Sequence, residues 1–414
     1  MTEKNIERVE ESSVGFEALE GWVRGRIQQW VQELLEEEVG ELLGRGRSER
    51  RKAVDGPAGY RNGYGKPRKL TMSGGTITLR RPRVRNLEER FESRVLPLFA
   101  RRTREIAELI PELYLHGLAE GDFDLALRGL LGEDAPLSAS TVARLKENWR
   151  AEWELWQNRS LEDLEVVYVW ADGVYVKAGL EKEKAVVLVV LAALSDGSKQ
   201  FVSIATGYRE STESWAAVLR DLKQRGMNAP RLVVADGHLG IWAALARVYP
   251  QAREQRCWNH RMVNVLDKLP KKVHKTALLR LRQVPYAETR REAERLKGVF
   301  QRWCRDRGYE QAGDLLEQDW DRMVSFYDFP QAHWQHLRTT NPVESPFSAL
   351  RLRTDAARRF KKVTNARAVI WKMLLVAEKR FRRLKAPHLL KGLYEGDQYV
   401  DGLPVKTTKK EKAA

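Results

Sequence analysis

Cysteine is nearly absent from this chain: 414 residues contain two, Cys257 and Cys304. Two thiols cannot form a disulfide framework, so a reducing compartment, the cytoplasm, is the expectation. Long apolar runs are missing as well. The longest, "AVVLVVLAAL" from Ala185 to Leu194, falls short of the roughly 20 residues a spanning helix needs and is Val-rich like a strand. The opening "MTEKNIERVEESS" lacks the apolar segment of a signal peptide. Neither low-complexity tracts nor internal repeats stand out. Acidic residues are the minority charge, 57 against 73 Lys and Arg, for a net +16. An excess of that size points to a polyanionic partner, nucleic acid ahead of an anionic membrane. What is present supports a sizeable core: 43% hydrophobic residues, with 13 Trp and 12 Tyr. The length favours two to four domains.

Apolar positions three and four apart predict a helix from Phe16 to Leu43 inside an N-terminal helical region, residues 1–55. The stretch "GRGRSERRKAVDGPAGYRNGYGKPRK" reads as an exposed basic arm or loop. "KLTMSGGTITLRRPRVR" reads as a β-hairpin around Gly74-Gly75, so residues 56–98 form an arm and hairpin. Helical patterns return over 99–160. There the turn "LGEDAP", followed by an amphipathic helix capped at Ser138 or Ser140, resembles half of a helix-turn-helix.

From Val166 the character changes. Strands are expected at Val166–Ala171, Ala185–Leu194 and Gln200–Thr206, then a helix at Ser214–Gln224. A strand at Arg231–Ala235, a helix near Gly240–Val248 and a short strand in "REQRCW" follow. Three strands in meander and then helix, strand, helix, strand make a mixed sheet covered by helices, the order of a ribonuclease-H-like α/β core. The expected division is a first core segment at 161–260, a helical insertion at 261–337 and a second core segment at 338–390. A tail at 391–414 follows. The second core segment carries the most basic helical stretch of the chain, Asn341 to Leu384.

Two carboxylates interrupt the apolar strands: Asp172 in "VVYVWADGVYV" and Asp236 in "RLVVADGHLGIW". Phosphodiester chemistry needs an activated nucleophile and a stabilised leaving oxygen. Two Mg²⁺ ions about 4 Å apart supply both and prefer carboxylate oxygens. A short Asp at a strand end is rigidly aimed, and a following Gly lets the chain turn away. The competing reading of Asp172 is a turn residue in an Asp-Gly hairpin. Glu344 in "LRTTNPVESPFSALRLRT" is the candidate third ligand. With Asn341 as cap and Pro342 in the first helical position, it would sit third, where Glu can equally serve only the helix end. Arg351, two turns on, would share its face and hold a phosphate. Cys257 and His260 in "QRCWNHRMVNVLDKLP" have the spacing of half a zinc site. No second short-spaced pair completes it, so a packed Cys with a His near the scissile phosphate, or a purely structural pair, is expected.

Taken in order, "ADGVYVKAG", "VADGHLGIW", "QRCWNHRMVNVLDKLPKK" and "RTTNPVESPFSALRLRT" resemble the bacterial Mutator-type insertion-sequence transposases. The match extends to "GYRNGYGKPRKLTM" and "ITLRRPRVRNLEERFESRVLP" and covers roughly Gly59 to Phe381. The resemblance implies a ribonuclease-H-like core interrupted by an all-helical insertion, with N-terminal helical and small β modules binding DNA. It assigns the catalytic, metal-holding acids to Asp172, Asp236 and Glu344, with Cys257 and His260 as the associated pair. It implies Mg²⁺, with Mn²⁺ able to substitute, and duplex DNA as partner: terminal inverted repeats and target. A homodimer or larger assembly is expected, acting at the bacterial nucleoid and not at a membrane. Phosphate contacts are expected from Arg61, Lys69, Arg81, Arg83, Arg338, Arg351, Arg353, Arg358 and Arg359. The rival expectations are a non-catalytic DNA-binding descendant and a structure-specific nuclease on the same core.

Overall fold

The structure is a computed structural model. It describes residues 16–50, 59–116, 118, 131, 139–177, 184–207, 211–237, 239–356, 360 and 362–405. The chain divides into two units, Met1–Leu145 and Lys146–Ala414.

In the first unit, helix α1 (Phe16–Leu43) forms where its apolar periodicity predicts. Strands β1 (Tyr60–Tyr64), β2 (Arg68–Met72), β3 (Gly75–Leu79) and β4 (Pro82–Arg85) follow. The β2–β3 pair is the expected hairpin, with Met72 opposite Gly75. The arm reading fails for residues 60–69, because β1 pairs with β4 and joins the fold; residues 51–58 lie outside the described set. Leu35 of α1 is buried with Ile77, Leu79 and Leu96. Gln28 and Gln32 complete the joint: their side-chain carbonyls accept the Thr78 and Arg80 backbone N–H groups at 3.0 and 2.9 Å. These donors would otherwise lack partners at the sheet edge. Helix α2 (Arg104–Leu115) ends the described part of this unit except for the start of α3 (Ala139–Gln157). Residues 132–138, on which the helix-turn-helix reading depended, lie outside the described set, as does the side chain of Ser140.

The second unit is built on a five-stranded mixed sheet. Strands β5 (Val166–Lys177), β6 (Lys184–Leu194) and β7 (Lys199–Gly207) form an antiparallel meander. Helix α4 (Thr212–Gln224) leads to β8 (Leu232–Ala235), and helix α5 (Leu239–Val248) to β9 (Arg253–Arg256). The order is β7-β6-β5-β8-β9, with β5, β8 and β9 mutually parallel. Alternation sorts the strands' two faces. Val169, Ala171, Val233 and Ala235 pack under α4 and α5, beside Trp215, Leu219, Ile241 and Trp242. Tyr168 and Trp170 face the other way. There Tyr168 Oη lies 2.9 Å from His333 Nδ1, and the Trp170 indole donates to the His336 carbonyl at 2.9 Å. Burial on both faces is why these strands read as continuous apolar runs.

Beyond β9 the chain is helical as far as Leu337: α6 (Trp258–Leu266), α7 (His274–Gln283), α8 (Arg290–Arg305), α9 (Glu310–Glu317), α10 (Trp320–Met323) and α11 (Trp334–Leu337). An ion cluster ties it to the sheet. Asp319, at φ 62°, accepts from Arg256 at 2.6 Å, the buried Arg261 at 2.9 Å and Arg322 at 2.7 Å. Helices α12 (Asn341–Glu344), α13 (Phe347–Ala356) and α14 (Val363–Glu378) complete the core, α14 against β7. Among the described residues, no helix is long and apolar enough to cross a membrane.

Burial makes one stability effect calculable. It pushes the His336 pKa down to about 4, helped by the charges of Lys199 and His333. The folded state therefore refuses a proton that the unfolded chain binds below pH 6.5, so stability falls as pH drops from 6.5 to about 4 and then levels. With partial screening by solvent, His336→Gln is expected to remove on the order of 1 kcal/mol of the loss between pH 7 and pH 5. Thermal midpoints at the two pH values check this; an equal fall in variant and parent would refute it.

Candidate active site

The parallel register fixes the centre of the site. Ala171 of β5 pairs with Ala235 of β8, and Ala235 with Arg256 of β9; the Ala235 carbonyl also accepts the Cys257 N–H at 2.8 Å. The next residues are therefore Asp172, Asp236 and Cys257, side by side where β8 and β9 end and midway along β5. Alternation puts Asp172 on the face of Tyr168 and Trp170, and Asp236 on the face of Leu232 and Val234, away from α4 and α5. Helix α12, which ends in Glu344, packs on β5 and β6.

Two local expectations are corrected. Asp172 is not a hairpin residue and does not end its strand: the ladder runs unbroken from Tyr168 to Lys177, with Asp172 opposite Val189 and Gly173 opposite Leu188. The Asp-Gly turn signal loses to the long β-branched run on both sides of it and to a complete ladder of partners. Asp172 instead accepts the Gly173 N–H at 2.8 Å. At Asp236 the turn reading holds. Gly237 has φ +101°, and a Cβ there would stand 2.2 Å from Arg256 Nε.

Glu344 is also placed differently from the local prediction. Thr340, not Asn341, precedes the helix; Asn341 and Pro342 are its first two residues and Glu344 its last. The capping-box geometry is therefore absent. Pro346, with no N–H to donate, separates α12 from α13, so Arg351 does not continue Glu344's helical face. The Glu344 carboxylate instead accepts the hydroxyl of Thr340. Thr340 is fully buried, and its backbone N–H and hydroxyl lie 3.3 and 3.2 Å from Cys257 Sγ. Thr340 thus joins the Cys257 strand end to Glu344. Sequence reasoning missed it, since only its place four residues before Glu344 hinted at a contact. Close by, Trp258 N–H donates to the Arg338 carbonyl at 2.9 Å, and Asn259 donates to Asn341 at 3.0 Å.

His260, one turn into α6, stands with Nδ1 3.8 Å from Glu344 Oε1. Contact with Cys257, then the negative charge of Glu344 and Asp236, pushes its pKa up to about 9 against the opposing effect of burial. The ring is a cation at neutral pH, facing the acids. Cys257, His260 and Glu344 offer donor atoms all within 4.8 Å of one another.

The expected DNA-contacting residues are placed unevenly. In the first unit, Arg81 is half-buried and Arg83 exposed along an open groove of about 540 Å³ that also holds Lys66, Arg68 and Arg85. Burial, and the like charges of Arg81 and Arg101, lower the Arg68 pKa. Lys69 is exposed on β2, whereas Arg61 is committed to an ion pair with Glu36. In the second unit Arg351 is exposed on α13. Arg338 lies over the rings of Tyr286, Phe326 and Trp334 at 4.5, 5.1 and 5.6 Å, a packed position and not the open one expected. The Arg353 side chain, Arg358 and Arg359 lie outside the described set.

Residues 1–383 match the family described as "Transposase, Mutator family". The chain is 43% identical over 287 residues to the transposase for insertion sequence element IS6120 of Mycolicibacterium smegmatis, covering 69% of this chain and 88% of that protein. It is 37% identical over 285 residues to the transposase for insertion sequence element IST2 of Acidithiobacillus ferrooxidans, covering 68% and 96%. Among solved structures, the Drosophila P element transposase strand transfer complex aligns over 69% of this chain and 83% of the other, with TM-score 0.27 and 12% identity.

Gly237 offers a test of the turn that places Asp236. Gly237→Ala meets both a left-handed backbone and the Arg256 guanidinium, and is expected to destabilise the protein by about 2 kcal/mol. A drop of several degrees in the thermal midpoint is the expected reading; an unchanged midpoint would mean the turn relaxes without cost.

Proposed function

The chain belongs to the Mutator family of transposases, and we propose that it binds the terminal inverted repeats of an insertion sequence. On this reading it hydrolyses phosphodiester bonds at the element's ends and joins the freed 3′ ends to target DNA. Asp172, Asp236 and Glu344 are its proposed catalytic acids. The observation that carries the proposal is the β5–β8 register, which sets Asp172, midway along β5, beside Asp236 at the end of the neighbouring parallel strand β8, with α12 packed against β5. The strand order supports a ribonuclease-H-like reading of this core.

The donor set fits a hard divalent cation. Three carboxylates offer oxygen ligands, two of them on short side chains fixed by a sheet, as Mg²⁺ or Mn²⁺ prefers. Asp172, Asp236 and Glu344 would hold such ions. When bound, they lower the pKa of an attacking water and stabilise the leaving oxygen. The rest is the work of the chain's own groups. Thr340 donates to Glu344 and so restricts the orientation of its carboxylate. The His260 cation stands where it can offset the charge of a phosphate brought against the acids. In the first unit, the crowded cations Arg68, Arg81 and Arg101 repel one another, and a DNA backbone would relieve this. A dimer or larger assembly follows from the need to hold two element ends together.

Asp172→Asn, Asp236→Asn and Glu344→Gln are each expected to reduce Mg²⁺-supported cleavage of an element-end duplex by about 10³-fold or more, with DNA affinity little changed. Full activity in any one removes that residue from the site. Cleavage of branched DNA without strand transfer by the parent protein would favour a nuclease instead. Thr340→Val is expected to slow cleavage about tenfold at unchanged DNA affinity, with Thr340→Ser close to the parent. Equal loss in both variants would contradict orientation through the hydroxyl.

A further inference from the structure

The Cys257–His260 spacing is half a metal site, and the fold brings a third donor to it from the far end of the helical insertion. Cys257 Sγ, a His260 ring nitrogen and a Glu344 carboxylate oxygen form the one such trio of donors among the described residues. Cys257 is buried, and His260 Nδ1 is buried without a hydrogen-bond partner, 3.8 Å from Glu344 Oε1. Ligands of a tetrahedral zinc lie roughly 3.3–3.7 Å from one another, so closing this trio takes side-chain shifts of about 1 Å. Cys257 Sγ is positioned by the Thr340 backbone N–H, which donates to it at 3.3 Å, while the Thr340 hydroxyl donates to Glu344.

Sulfur and imidazole donors discriminate between metals. Mg²⁺ takes oxygen and is indifferent to a thiolate, whereas Zn²⁺ is held by Cys, His and carboxylate with a fourth position left to water. The geometry points to a thiophilic-cation site in which Cys257, His260 and Glu344 bind Zn²⁺, the Cys257 thiol and the His260 imidazolium each releasing a proton to solvent as the metal binds, and the site competes for the carboxylate that the hard-cation site needs. Zinc occupancy therefore withdraws Glu344 from the acids and inhibits Mg²⁺-supported DNA cleavage. This consequence rests on the proposed role of Glu344; the binding itself does not.

The test titrates the full chain with Co²⁺ alone, without DNA or Mg²⁺, and reads absorbance. The expected result is a near-ultraviolet thiolate-to-cobalt band with tetrahedral visible bands, both abolished by equimolar Zn²⁺. Cys257→Ser is expected to lose the thiolate band and Cys304→Ser to keep it. Glu344→Gln should weaken Co²⁺ affinity by about tenfold or more. Circular dichroism and thermal midpoints establish that each variant is folded. A folded parent without the thiolate band, or a band that survives Cys257→Ser, would overturn the site. Zinc that binds yet leaves Mg²⁺-supported cleavage unchanged would overturn the competition for Glu344. Because the cobalt signal requires no DNA chemistry, its absence would leave the assignment of the three acids standing.

Discussion

The parallel pairing of β5 with β8 and of β8 with β9 is the constraint on which the second unit depends. Hydrogen bonds between parallel strands fix the register, and a slip of one residue would reverse every face. With Ala171, Ala235 and Arg256 in line, Asp172, Asp236 and Cys257 must come next on three adjacent strands. Val169, Ala171, Val233 and Ala235 hold that register by burying their face against α4 and α5. The same apolar packing that forms the core therefore aims the polar residues to the opposite side.

The helical insertion and the segment after it close over that opposite side. Tyr168 and Trp170 spend their polar atoms on His333 and on the His336 carbonyl, so the sheet and the segment before α12 are joined just ahead of Thr340. Asp319 gathers Arg256, Arg261 and Arg322, linking the insertion to β9 immediately before Cys257. Buried cations grouped on one carboxylate contribute little net stability but make any other arrangement costly, because each would leave a charge unpaired. Thr340 then spans the last gap, between Cys257 and Glu344.

On the proposed reading, Asp172, Asp236 and Glu344 would offer oxygen donors to hard cations, while Cys257 and His260 are softer donors near the same glutamate. The electrostatics are lopsided. Contact with Cys257, then the charges of Glu344 and Asp236, raise the His260 pKa, while in the first unit burial, then the like charges of Arg81 and Arg101, lower that of Arg68. On the proposed reading, a cation would relieve the first imbalance and a phosphate backbone the second.

Much was legible in the sequence because it is written in local periodicity. Helix α1, the β2–β3 hairpin, the three-strand meander and the alternating helices and strands after it all follow from apolar spacing and turn residues. The two aspartates were conspicuous because carboxylates are rare in apolar runs. Local signals misled where a distant partner won: Asp172-Gly173 reads as a turn until β6 supplies a full ladder, and the 60–69 stretch reads as an arm until β4 pairs with it. Arg61 and Arg338 read as free cations, yet one meets Glu36 and the other a set of aromatic rings. Residue identity and spacing determined which strands and helices form and which groups could do chemistry. Only the tertiary structure decided that the Cys257–His260 pair meets the Thr340–Glu344 pair. That meeting is set by strand register and by the path of the chain between Cys257 and Thr340, and neither leaves a short-range trace in the sequence.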